Sequence, residues 1–220
     1  LGNRSITPDS LGPRVVNSLL VTRHLFDIMP EKQQGGLRSV CAVTPGVLGI
    51  TGIETLEIIR GVADRVKPCL VIAIDALASR KMERISRTVQ IADTGINPGS
   101  GVGNHRSAIN METLGVPVIG IGVPTVVDAA TMANDTIDMV IDQLIRSVSR
   151  GSEFFKMLSD VDREEKYRII EETLTPGDMG NFIVTPKEVD DIIETVAQII
   201  ANGINMALHP SVTPEQINRY

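Results

Sequence analysis

The stretch that most constrains the fold is residues 69–80, CLVIAIDALASR. Residues 70–74 are an unbroken apolar run, too short for a stable helix, and such a run reads as a central parallel strand buried on both faces. Asp75 closes it. A carboxylate at the carboxyl end of a buried strand points into the crevice where open α/β sheets bind ligands. Its desolvation costs free energy that a merely structural residue would avoid, so for Asp75 the functional reading leads.

The chain on either side alternates between helical and strand-like patterns. Residues 1–13 read as a loop that holds Asp9, opening on what looks like the end of a strand whose beginning is missing. Leu11, Val15, Val16, Leu19, Leu20 and Val21 then form an apolar stripe at helical spacing, which predicts a first helix to about Phe26. Residues 37–43 return to strand before Thr44-Pro45-Gly46, and Thr51-Gly52 opens a second helix that Pro68 stops. After Asp75 the pattern predicts a short basic helical segment, a strand at 88–92, a glycine-rich loop at 95–104, and a buried strand at 116–123 broken by Pro124-Thr125. A long helix at 126–148, interrupted near Asn134-Asp135, completes a βα alternation. That alternation predicts an α/β fold, a mostly parallel sheet with helices on both faces.

From Arg150 onward the pattern is helical, apart from a short strand-like Phe182-Ile183-Val184. Thr185, Pro186 and Glu188 read as a capping box opening a helix whose Ile192, Ile193, Val196, Ile199, Ile200 and Ile204 suit a core or an interface. The expected organisation is therefore an α/β core at 1–149 and a helical C-terminal extension at 150–220, packed on the core or on a neighbouring subunit within one structural domain. A length of 220 residues can bury such a core, and with 3% aromatic residues and no Trp that core must be aliphatic.

Composition also excludes classes of function. A net charge of -6 argues against a phosphate backbone as the main partner, and the scarcity of aromatics disfavours base-stacking sheets. No apolar run reaches membrane-spanning length and no secretory leader opens the chain, which favours a cytosol-like compartment. Cys41 and Cys69 fall in strand-like segments and read as small buried hydrophobes rather than a disulfide.

For chemistry, Asp9 and Asp75 each belong to a loop expected to leave the carboxyl edge of a strand, so neighbouring strands can bring them together. Two carboxylates held close do not both ionise easily; one keeps a proton, and the pair can activate a water while protonating a departing group. On pattern alone the Pro-Asp-Ser around Asp9 reads first as a turn or helix cap. Gly99, Gly101 and Gly103 let the backbone approach a bound chain, with N–H groups available to a carbonyl or an anion. No Gly-Lys-Ser/Thr follows them, so the loop is not a P-loop. His24, His105 and His209 lack metal-ligand spacing; only His105 is placed to join the two aspartates around a metal.

Taken together, ITPDSLGP, TPGVLGITGIET, VIAIDALASR, IADTGINPGSGVGN, ETLGVPVIGIGVPTVVDA and NFIVTPKEVDDII resemble the germination proteases of spore-forming bacteria over nearly the whole chain. The resemblance implies an endopeptidase that starts degradation of small acid-soluble spore proteins in the spore core. It further implies a zymogen that removes its own propeptide, a homotetramer, and a fold similar to the hydrogenase maturation endopeptidases. By motif, the family's two essential aspartates fall on Asp9 and Asp75, with no cofactor. Against that pattern, the stretch 147–162 is shorter than expected. Two other readings remain: a metal-dependent maturation-type endopeptidase with Asp9, Asp75 and His105 as ligands, and a non-enzymatic module binding an anion on the glycine loop.

Overall fold

A computed structural model of the chain describes residues 1–30, 36–100, 106–174 and 182–212. Its centre is a parallel pair of strands, β1 (Val71–Ser79) and β3 (Val118–Asp128), in register from Val71 opposite Val118 to Asp75 opposite Gly122. β2 (Gln90–Ala92) pairs antiparallel with β3, as does the two-residue β4 (Ile183–Val184). The sheet is thus mixed, with order β1-β3-β2 and β4 against the far end of β3. Its parallel part is the buried β1–β3 pair, while all three residues of β2 are exposed.

Both central strands run further than the hydrophobic pattern predicts. Asp75 lies in the middle of β1 rather than at its end, because Ala76 to Ser79 continue the pairing with β3 where a basic helix was expected. Pro124 does not end β3 either. The register shifts between Leu77 and Ala78, leaving Thr125 outside the one-to-one pairing, and this bulge lets β3 continue to Asp128.

Helices cover both faces. On one, α1 (Leu11–Asn17) and α9 (Val189–Leu208) place Leu11, Val15, Ala197, Ile200, Ala201 and Ile204 against Ile74, Ile121 and Val123. The predicted first helix is shorter than expected: it stops at Ser18 and resumes only as α2 (Arg23–Phe26), because Asn205 of α9 captures the backbone between them. The Asn205 side chain accepts from Leu20 N–H at 2.9 Å and donates to the Ser18 carbonyl at 3.0 Å. On the other face, α4 (Thr55–Val66) and α5 (Met111–Leu114) bring Leu56, Ile59 and Leu114 to Ala73, Ile109 and Val118. A separate turn, α3 (Leu48–Thr51), precedes α4 because Gly52, at φ 70, ends it in the left-handed region.

Residues 37–43 are an irregular strap rather than a strand. Thr22 holds it: the Thr22 hydroxyl donates to Arg38 O and accepts from Val40 N–H, and Arg38 N–H donates to Nδ1 of the buried His209. Because the strap lies outside the sheet, Cys41 is exposed, and Cys69, at the loop before β1, is exposed too. α6 (Ala129–Ser147) is continuous through Asn134-Asp135 and is capped by Asp128, whose carboxylate accepts from Ala130 N–H at 2.8 Å. The helix is buried only near its start, at Ala130: Val140 is 53% exposed and Leu144 38%. α7 (Glu153–Ser159) and α8 (Arg163–Leu174) follow, with Lys166 and Arg163 of α8 paired to Asp138 and Asp142 of α6. The predicted capping box at 185–188 does not form. The Thr185 hydroxyl donates instead to the Thr125 carbonyl at 3.0 Å, drawn there by the bulge in β3.

Candidate active site

Alternation along β1 and β3 sends Val71, Ala73, Asp75 and Leu77 to the α4/α5 face, together with Gly120 and Gly122. Gly122 stands opposite Asp75, and any side chain there would run into Leu77. The missing side chains let Leu77 and the Gly95 backbone pack close against β3. A cleft of about 920 Å³ opens at this point, and Asp9 and Asp75 both line it.

The two acids are presented differently. Asp75 is 4% exposed, and its carboxylate accepts from its neighbour's Ala76 N–H at 3.0 Å. Asp9 ends a 3-10 turn, Thr7–Asp9, and is half-buried; it accepts from Asn3 N–H at 2.7 Å. Of the turn or helix-cap reading of Asp9, the turn holds and the cap does not. The residue before α1 is Ser10, which makes no side-chain cap, and the Asp9 carboxylate turns back toward residues 2 and 3, where a Cβ on Gly2 would come within 2.9 Å of it. The turn itself is pinned at both ends. The Thr125 hydroxyl donates to Pro8 O at 2.7 Å, and the Thr7 hydroxyl donates to the Asp190 carboxylate of α9 at 2.7 Å. Leu1 runs alongside β1, its nitrogen donating to Ile74 O at 2.6 Å.

Burial pushes the Asp75 carboxyl up to about 6; the charge of Asp9 adds to the rise, while the Ala76 N–H opposes it. Asp9 also sits above the ordinary aspartate value, again through burial, with the Asn3 N–H pulling it down. The structure therefore brings two carboxyls with raised proton affinity into one cleft. Asp75 feels the charge of Asp9, and it gives up its proton as pH rises through about 6.

The start of the glycine loop reaches the same cleft. Asn97, Pro98, Gly99 and Ser100 line it, with Gly99 at φ 69. Gly101, Gly103 and His105 lie outside the described residues. Among the described residues no group of three or more His, Cys, Asp or Glu side chains is close enough to hold a metal ion. His24 is on the exposed α2, and His209 is spent on the backbone of the strap and on Leu20 O, 3.2 Å from its Nε2. Pattern reading missed Thr125, which it took for a strand breaker. A polar residue after a proline inside an apolar run was the available signal for a bulge beside a site.

Comparison with known proteins extends this picture. The family model for germination protease matches residues 1–160 and 149–220, the two matches overlapping in the stretch that reads as short. The germination protease of Clostridium acetobutylicum is 58% identical over 220 residues, covering all of this chain and 67% of the relative. That of Clostridium perfringens is 57% identical with the same coverage. The Bacillus pumilus germination protease is 49% identical over 251 aligned positions, again covering all of this chain and 67% of its own length. Among the described residues no helix is long and apolar enough to cross a membrane.

Proposed function

Because the chain belongs to the germination protease family, we propose that it is an endopeptidase of spore germination that cuts protein substrates with a water activated between Asp9 and Asp75. The observation that carries this reading is the shared cleft. It holds two carboxyls, both with raised proton affinity, one buried in the central strand and one on a turn clamped to that strand's neighbour.

In the mechanism, ionised Asp9 takes a proton from the water as the water oxygen attacks the scissile carbonyl carbon. Asp75, protonated through its burial, gives its proton to the carbonyl oxygen. Collapse of the tetrahedral intermediate re-forms the C=O bond. The C–N bond breaks as the proton held by Asp9 passes to the leaving nitrogen, and the hydroxyl proton of the intermediate returns to Asp75. Backbone N–H groups of the glycine loop, from Gly99 through Gly101 and Gly103, are the proposed donors to the oxyanion or to the substrate strand.

The substrates in this reading are the small acid-soluble spore proteins, met in the spore core, and the working form is a homotetramer released from a zymogen. No cofactor, nucleic acid or membrane takes part. In this reading the α/β unit 1–149 carries both aspartates, and α9 braces the Asp9 turn by way of Thr7 and the sheet. The parallel β1–β3 pair supports kinship of fold with the hydrogenase maturation endopeptidases.

The test is cleavage of a purified small acid-soluble spore protein by the wild type, Asp9→Asn and Asp75→Asn, each checked for folding by circular dichroism. Each substitution should lower kcat by roughly 10²–10⁴-fold, the range for loss of a general acid or base. The wild-type rate should fall as pH rises through about 6, where Asp75 gives up its proton. Full activity in folded Asp75→Asn overturns the pair. Loss of activity with chelator, restored by metal, would make the aspartates ligands alongside His105.

A further inference from the structure

The sheet ends at β1. In the order β1-β3-β2 it has a strand on one side only, and among the described residues no strand pairs with its outer edge. Along a strand, the N–H and C=O of one residue point to one edge and those of the next residue to the other. Val71 N–H donates to Pro117 O, so the odd residues of β1 turn their backbone groups to β3 and the even residues turn theirs outward. The Leu1 nitrogen, donating to Ile74 O at 2.6 Å, meets the outer edge at one of these even positions. The extra residue of the bulge lies on β3, which leaves the alternation of β1 intact through Ala78.

Past Ile74 this edge is open. The Ala76 N–H is taken by the Asp75 carboxylate at 3.0 Å, but among the described residues the Ala76 carbonyl and both backbone groups of Ala78 have no hydrogen-bond partner. Both alanines are only half-buried, and both line the cleft that holds Asp9 and Asp75. Native edges are commonly blunted by a charged side chain or a proline, and positions 76–78, Ala-Leu-Ala, carry neither. An unblunted edge is a template for another extended chain, and here it runs directly into the carboxyl pair.

We propose that the outer edge of β1 from Ala76 to Ala78 binds the backbone of the substrate as an added strand. This rests on the peptidase reading above and names what the site takes: a polypeptide segment whose backbone groups are free, not one already paired within a helix or a sheet. An added strand lies about 4.8 Å from β1, so its carbonyls stand a water's width from the Asp75 carboxylate. The inner end of the lane is closed by Gly2 and the Asp9 carboxylate, where the segment after Leu1 leaves the edge. The scissile carbonyl therefore comes to rest between the two acids, with the residues on one side of it held by Ala76 and Ala78. Main-chain pairing of this kind supplies affinity whatever the substrate side chains are.

The test uses a peptide spanning one bond of a small acid-soluble spore protein, a series in which each backbone amide in turn is replaced by an ester, and fluorescent versions for direct binding. An ester keeps the side chains and removes one N–H. In the wild type, esters at two positions two residues apart, both on one side of the cut, should each lower kcat/KM about three- to tenfold, because their N–H groups are those given to Ala76 O and Ala78 O; the amide between them should tolerate the exchange. Ala78→Pro removes the outward N–H without taking a bond from the β1–β3 ladder, and should lower kcat/KM for the all-amide peptide about as much, mainly through KM. Ala78→Ser keeps the N–H and should keep the alternating profile. The ester series on the wild-type protein decides whether or not Ala78→Pro folds. Cleavage with no alternation along that series overturns the added strand and leaves the peptidase reading standing. Alternation in binding, measured by fluorescence anisotropy, without any cleavage keeps the strand and sinks the peptidase reading. Neither binding nor cleavage sinks both.

Discussion

Against α1 and α9, β1 and β3 present Ile74, Ile121 and Val123 to a sealed aliphatic layer; toward α4 and α5, the same strands present Ala73, Asp75, Gly120 and Gly122 beside an open cleft. The two surfaces are made of alternate residues of one pair of strands. The period of two thus separates the faces: Ala73 and Asp75 of β1 look toward the α4/α5 side, while Ile72 and Ile74 look into the α1/α9 layer. A carboxyl with its proton affinity raised by burial needs a rigid, dry support, and the α1/α9 layer supplies it within one residue's spacing.

This contrast can be broken from either side. The largest effect should come from the sealed face: Leu11→Ala, removing a fully buried side chain, should cost about 2–5 kcal/mol in a urea titration. A much smaller loss would mean that α1 and α9 are loosely packed and that Asp75 lacks the support described. On the open face the sign reverses. Asp75 is raised from 3.8 to about 6 in the folded state, so its protonated form stabilises fully below pH 4, and that contribution is lost as pH rises through 6. Asp75→Asn should accordingly be about as stable as wild type at pH 4 and up to about 3 kcal/mol more stable at pH 7. Equal urea midpoints across that range would show that Asp75 is not desolvated. The smallest effect should come from the seam. Thr185→Val removes one hydrogen bond to Thr125 and should cost about 1 kcal/mol, measured by thermal melting.

Much of this was legible in the chain. The apolar runs before Asp75 and up to Val123 mark the buried pair, the 3.6-residue stripes mark α4 and α9, and a carboxylate inside so apolar a run marks the site. Pattern alone left Asp9 between a turn or cap and a catalytic role, and only the motif resemblance raised it above the former, because its turn is held by Thr125 and Asp190, residues 117 and 183 positions distant in the hydrogen bonds that fix it. Local pattern has no access to such partners. The same blindness explains the other differences. A bulge carried β3 past Pro124, Asn205 broke the first helix from the far end of the chain, and Thr185 left its expected cap for the sheet. The strap at 37–43 has a strand's composition but is fastened through the Thr22 side chain, so Cys41 stays in water.

Thr125 has a consequence for the order in which the molecule assembles. Its hydroxyl grips Pro8 and its carbonyl receives Thr185, while Thr7 reaches Asp190 beyond it. Three segments from the beginning, middle and end of the chain must therefore meet before the Asp9 turn is fixed. Closing loops of that length costs entropy that only the finished contacts repay, so such contacts form late in folding. The β1–β3 pair and Asp75 can form first, and an incompletely folded chain then holds one carboxyl of the pair without the other. On the proposed reading, the carboxyl pair is completed only when α9 docks on the Thr7 turn.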